Sequence, residues 1–167
     1  MTKLKICMLG AFAVGKTSLV RRYVHSVFDE KYQTTLGVKI DQKSLSLDDR
    51  EVELILWDLA GEDEFIKVRS SYLRGSAGAV LVADGTRGET LETVFELKEK
   101  LEAEVGEVPV VLLINKSDLA DNWNIDAYRL QMLRDSGWPV LETSALNSEN
   151  VEQAFESLAK NILTVSA

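Results

Sequence analysis

The chain has 167 residues, 46% of them apolar and 28% charged, which is enough for one compact domain with a sizeable core and without disulfides or structural metals. A formal net charge of −8 argues against a general nucleic-acid binder, because such affinity comes from clustered Lys and Arg, so any phosphate site must be local and preorganised. The lone cysteine, Cys7, excludes an internal disulfide and a cysteine-based metal site and fits a reducing compartment, so a cytoplasmic setting is expected.

In chain order, Leu4 to Leu9 is an apolar run halted by Gly10, and beyond Lys16 the residues Leu19, Val20 and Tyr23 keep helical spacing. This predicts strand, Gly-rich loop, helix. The N-terminal apolar stretch is too short for a signal peptide or a membrane span. Leu36 to Leu47 and Val52 to Trp57 read as two strands joined antiparallel at the turn-forming Leu47-Asp48-Asp49-Arg50. Gly78 to Asp84 and Val108 to Ile114 are nearly continuous apolar runs, as expected of parallel strands covered on both faces, and Trp138 to Leu141 looks like a shorter third. Helical spacing recurs at Leu91, Val94, Phe95 and Leu101, over Ile125 to Leu133, and at Val151, Ala154, Phe155, Leu158 and Ile162. The alternation predicts an α/β sheet with helices on both faces, right-handed crossovers, and a ligand site where the carboxyl ends of the strands meet the loops. A single domain over residues 1–167 is expected. The final residues, Leu163 to Ala167, carry neither a cysteine box nor a basic tail, so no lipid anchor is read from them.

Four motifs fall at such strand ends. Gly10 to Thr17 fits G-x-x-x-x-G-K-S/T between a strand and a helix, where glycines let backbone N–H groups wrap a phosphate and the helix N-terminus adds its positive dipole end. Lys16 would reach the terminal phosphates, and the Thr17 hydroxyl would ligate magnesium. Asp58-Leu59-Ala60-Gly61 is weak alone, but after a phosphate loop it supplies a carboxylate on the magnesium side and a glycine that can approach a γ-phosphate. Asn115-Lys116-Ser117-Asp118 closes an apolar strand. Its carboxylate can accept from both N1–H and the exocyclic amine of guanine, a donor pair adenine lacks, so GTP is expected over ATP; taken by itself, the tetrapeptide reads equally as a helix N-cap. Thr143-Ser144-Ala145 could line the same base pocket. His25, the only histidine, reads as a surface residue; Arg69 and Arg74 read as surface residues too, with an internal arginine finger as the alternative.

In this order and spacing, with Thr35, these motifs resemble the Ras superfamily of small GTPases over essentially the whole chain, and Thr35-Leu36-Gly37-Val38 and Ser71-Tyr72-Leu73-Arg74-Gly75 look most like its Rab branch. The resemblance implies the Ras-like G domain, a P-loop NTPase fold of three α/β/α layers around a six-stranded, mostly parallel sheet with one antiparallel edge strand. It implies nucleotide contacts from Gly10, Ala13, Val14, Gly15, Lys16, Thr17 and Ser18, from Phe28 against the guanine, and from Asn115, Lys116, Asp118, Ser144, Ala145 and Leu146. Magnesium would be held by Thr17, Thr35 and, through water, Asp58. Lys16, Thr35, Gly61 and Glu62 would serve hydrolysis. Residues about 30–40 and 60–75 would then be switches that order with GTP and bind effector, activating and exchange-factor proteins, the protein itself being a monomer.

Two positions depart from the family pattern. Glu62 stands where a glutamine is usual, and it can take a proton from water but cannot donate an amide hydrogen bond to the transition state, so slow hydrolysis is expected. Phe12 stands where a small residue is common; either its ring obstructs an activating arginine or it turns outward and does nothing. Both departures raise the alternative of a scaffold that holds GTP and barely hydrolyses it. A small-molecule kinase, which also uses this loop, is disfavoured by the guanine motif and by the lack of an Arg-rich lid segment.

Overall fold

A computed structural model describes residues 1–26, 37–61 and 67–166. Its sheet has six strands in the order β2-β3-β1-β4-β5-β6: β1 is Thr2–Gly10, β2 Val38–Leu47, β3 Arg50–Leu59, β4 Gly78–Asp84, β5 Val110–Asn115 and β6 Val140–Thr143. Strand β1 lies parallel between β3 and β4, and from Ile6 onward all its residues are buried. Strand β2 alternates half-buried and exposed residues and pairs antiparallel with β3 at the edge, as expected of a strand with one solvated face. The hairpin turn works because Asp48 and Asp49 both adopt left-handed φ, 48° and 66°, a conformation that short Asp side chains tolerate and that matches the twist of the flanking strands.

Period-two alternation along the parallel strands feeds two separate cores. Ile6, Met8, Val80, Val82, Val111 and Leu113 face α1 (Lys16–His25) and α5 (Val151–Ser166), whose Leu19, Tyr23, Ala154, Phe155 and Leu158 complete one apolar cluster. Tyr23 and Phe155 stack with ring centroids 4.2 Å apart and planes within 5°. On the other face Cys7, Leu9, Leu81, Ala83, Leu112 and Ile114 meet α3 (Thr90–Val105) and α4 (Ala127–Asp135) through Leu91, Val94, Leu97, Leu101 and Leu130. These are the expected three layers, with helices on both faces.

Element boundaries move by a few residues from the sequence-based ones. Strand β5 starts at Val110 rather than Val108, and β6 spans Val140–Thr143 rather than Trp138 to Leu141. Trp138 is not part of the strand; its ring packs edge-on to Phe95, so its hydrophobicity reports a side-chain contact, not sheet pairing. Helix α4 starts at Ala127, capped by the Asp126 carboxylate accepting from Tyr128 N, two residues after the apolar pattern begins. A short helix, α2 (Ser70–Leu73), went unread in the sequence. Leu36, the expected start of β2, lies outside the described residues.

Candidate functional site

The chain runs from β1 through α1 to β2 and β3 on one side of the sheet and then returns to β4 on the other, so the sheet reverses direction beside the carboxyl end of β1. Such a point leaves a crevice where ligands bind in open α/β sheets. The loop 10–15 leaves β1 at that point. Ala13 (φ 60°) and Gly15 (φ 102°) alternate with Val14 in a left-handed pattern, which presents successive backbone N–H groups as an anion-binding concavity. Gly15 is obligatory twice over: its φ favours glycine, and a Cβ there would lie 2.3 Å from Asn115 Nδ2.

Lys16, Thr17 and Ser18 open α1 and are buried. Burial pushes the Lys16 ammonium down to a pKa of about 8, opposed by the Asp58 carboxylate; a polyanion beside it would favour the charged form. Thr17 Oγ1 donates to Asp58 Oδ2 at 2.6 Å. A hydroxyl and a carboxylate are hard oxygen donors, the chemistry a magnesium ion prefers, and that ion takes few protein ligands, keeping waters and phosphate oxygens for the rest of its shell. Gly61 lies so close beneath the loop that a Cβ would stand 2.7 Å from Ala11 O. Thus β3, which ends one residue after Asp58, delivers both Asp58 and Gly61 to the phosphate loop.

Asn115 ends β5 and ties three segments together: Nδ2 donates to Val14 O at 3.0 Å, and Oδ1 accepts from Thr143 Oγ1 at 3.1 Å. Lys116, at φ 74°, reaches back to Ala13 O at 3.3 Å. Asp118 lies in the 3-10 helix Ser117–Asn122, whose preceding residue makes no side-chain cap bond, so the N-cap reading of this tetrapeptide does not hold. Instead Asp118 Oδ1 accepts from Ser144 Oγ at 2.7 Å. Ala145 is buried, whereas the side chain of Leu146 is exposed. The structure therefore brings together Gly10, Ala13, Val14, Gly15, Lys16, Thr17, Ser18, Asp58, Gly61, Asn115, Lys116, Asp118, Ser144, Ala145 and Leu146 along one edge. Phe28, Thr35 and Glu62 lie outside the described residues.

Residues 5–164 match the Ras family. The chain belongs to the Ras family. It is 39% identical over 165 residues to the human Ras-related protein Rab-7b, covering 96% of this chain and 83% of that protein, and 38% identical to the mouse Rab-7b over 96% and 82%. The Arabidopsis thaliana Ras-related protein RABA4b is 36% identical, over 95% of this chain and 71% of its own length. This Ras-family protein is accordingly a Rab-like, GTP-binding small GTPase, and its six-stranded sheet with one antiparallel strand is the expected G-domain fold.

Sequence reasoning missed two parts of this small GTPase's site. Asp84, the buried last residue of β4, accepts from Lys116 Nζ at 2.7 Å and Arg87 Nε at 3.1 Å on one oxygen and from Thr86 N and Oγ1 on the other. Burial acts to raise its pKa, but hydrogen bonds from Lys116, Thr86 and Arg87 outweigh that and hold it below its ordinary value. Arg87 then donates to Phe12 O at 2.6 Å. The signal for Asp84 was available, since like Asn115 it is a polar residue closing a buried parallel strand. Arg22, from α1, donates to Ala145 O and Leu146 O, and nothing in the local sequence marks it. Phe12 is 45% exposed, which fits the outward-turned reading of its ring. His25 stands 3.4 Å from Asp41, and Arg74 pairs with Glu104 on α3, so both keep surface roles. Among the described residues no helix is long and apolar enough to cross a membrane.

Proposed function

We propose that this small GTPase, as a single G domain over residues 1–167, binds GTP or GDP with magnesium and acts as a slow molecular switch. One observation carries the reading: the phosphate loop, the Thr17–Asp58 pair and the Asp118–Ser144 pair share the carboxyl edge of one sheet, fastened to each other by Asn115 and Lys116. The backbone of Gly10, Ala13, Val14 and Gly15, with Lys16, Thr17 and Ser18, would cradle the phosphates. Thr17, Asp58 and Thr35 would hold magnesium, which when bound supplies charge neutralisation on the phosphoryl oxygens. Asp118, its carboxylate fixed by the Ser144 hydroxyl, would accept from guanine's N1–H and amine. Asn115 and Lys116 would hold that pocket against the phosphate loop, Phe28 would pack on the base, and Ala145 and Leu146 would line it.

Hydrolysis uses water as the nucleophile, with Lys16 stabilising charge on the transferring group, Gly61 contacting it and Glu62 orienting the water. Glu62 lacks the amide donor of a glutamine, so turnover without a partner is slow. GTP would order residues about 30–40 and 60–75, and effector, activating and exchange-factor proteins would read that state. A GTP-holding scaffold with little turnover is the second reading, favoured by Glu62. Single-turnover phosphate release from GTP, with ATP as control and the bound nucleotide identified by chromatography, separates them. Slow magnesium-dependent release from GTP alone supports the switch; tight GTP retention without release supports the scaffold; no guanine binding overturns both.

A further inference from the structure

Arg22 lies in the last turns of α1, the helix that begins with the phosphate-loop residues Lys16 and Thr17. Its guanidinium is used as a fork: Nε donates to Ala145 O at 2.7 Å, and Nη2 donates to Leu146 O at 2.7 Å. These bonds join segments more than 120 residues apart in sequence. Nη1 leans towards Ser26 O, at the end of the same helix, at 3.5 Å. Arg22 therefore links α1 to the loop that follows β6.

The Leu146 carbonyl belongs to the same peptide unit as the Asn147 N–H. That N–H donates to Ser144 Oγ at 3.2 Å, and the Ser144 hydroxyl in turn donates to Asp118 Oδ1 at 2.7 Å. A run of aligned donors thus leads from a permanent cation to one carboxylate, each bond polarising the next. A serine hydroxyl rotates freely unless an incoming donor fixes its lone pairs. With Asn147 N–H held in place, the hydroxyl proton has one direction left, and that direction is Asp118.

We propose that Arg22 is a positioning residue for base selection: by gripping the Ala145 and Leu146 carbonyls it fixes the loop 144–147 and so aims the Asp118 carboxylate at the edge of guanine. The inference rests on the proposed guanine site. Geometry explains the choice of arginine, since a lysine ammonium is a point charge that cannot present two parallel N–H groups to two carbonyls. The bland role for Arg22 is a favourable charge at the C-terminal end of α1. That role predicts a stability effect but no effect on which base is bound.

Base discrimination separates the two roles. Inosine diphosphate lacks the exocyclic amine, so the difference between GDP and inosine diphosphate reads how well Asp118 meets that amine. The experiment follows release of fluorescently labelled GDP and inosine diphosphate from the full chain, with magnesium, for the wild type, Arg22→Met and Arg22→Lys, with folding checked by circular dichroism. The wild type should release inosine diphosphate faster. Losing one charge-assisted hydrogen bond network should speed GDP release from Arg22→Met about tenfold but inosine diphosphate release by roughly threefold or less, narrowing the ratio. Arg22→Lys should narrow it less, and it carries the test alone if Arg22→Met does not fold. An unchanged ratio, whether both rates rise together or neither does, overturns the proposal and leaves Arg22 as a helix-end charge. Equal release of both nucleotides by the wild type removes the guanine-reading role of Asp118 itself, a failure of the proposed function that is distinct from failure of the inference.

Discussion

Asp84 shows how much one carboxylate can organise from behind a site. It is buried, and Lys116 and Arg87 both anchor on it and reach the carbonyls of Ala13 and Phe12. Replacing it with asparagine leaves two cations without their counter-charge. A fully buried pair broken this way costs roughly 3–5 kcal/mol, but Lys116 and Arg87 side chains are about a third exposed, so we expect Asp84→Asn to cost about 1–3 kcal/mol at neutral pH in urea unfolding. The pH dependence follows from the direction of the shift. The folded-state pKa of Asp84 lies below its unfolded value, so its contribution is present above the unfolded pKa and is lost as pH falls through the folded one. The Asn variant should therefore lose less stability than the wild type below about pH 4, and parallel curves would contradict this account. Glu62 sets a second residue-scale expectation. On the proposed role of Glu62, Glu62→Gln would supply an amide donor and remove a negative charge, so single-turnover hydrolysis should rise about tenfold or more, on the scale of one transition-state hydrogen bond; an equal or lower rate would sink the explanation.

At the scale of elements, α1 carries chemistry at both ends and packing in between. Lys16 and Thr17 occupy its first turn, Arg22 its last turns, and Leu19, Val20 and Tyr23 bury the face against α5 and the sheet. The Tyr23–Phe155 stack is one of its contacts with α5. Phe155 is fully buried, so Phe155→Ala should cost roughly 3–5 kcal/mol through lost transfer energy and the cavity left behind. Because this contact orients the helix that bears Lys16 and Arg22, GDP release should also quicken. A stability loss with unchanged release would show that α1 keeps its place without the stack.

Across the whole molecule, the site is assembled from loops that follow β1, β3, β4, β5 and β6, and side-chain cross-links such as Asn115 to Val14 and Ser144 to Asp118 join them. A nucleotide bound as proposed would contact the loops after β1, β3, β5 and β6 and so stabilise the folded state by mass action. Removing nucleotide with a magnesium chelator and washing should lower stability by about 2.7 kcal/mol relative to hundredfold saturation. For a chain of this size that is about 5–10 °C in Tm. An unchanged Tm would mean that no nucleotide had been bound.

The sequence by itself determined the order of the six strands and the four longer helices along the chain, the two-faced burial of the parallel strands and the place of the candidate phosphate loop between β1 and α1. Each of these is written locally: in period-two or helical spacing, or in residue types that must sit side by side to wrap a phosphate. The hairpin at Asp48-Asp49 and the guanine motif at the end of β5 are of the same kind. The ends of β5 and β6 were misplaced because Val108 and Trp138 are apolar for packing against α3 and its surroundings, and hydropathy does not distinguish that from sheet pairing. Only the tertiary structure decided that Asp84 anchors Lys116 and Arg87, and that Arg22 grips a loop more than 120 residues away. Such contacts follow from how far each strand carries the chain before it turns and from which helix lies beneath the turn, and no local pattern of residues records either.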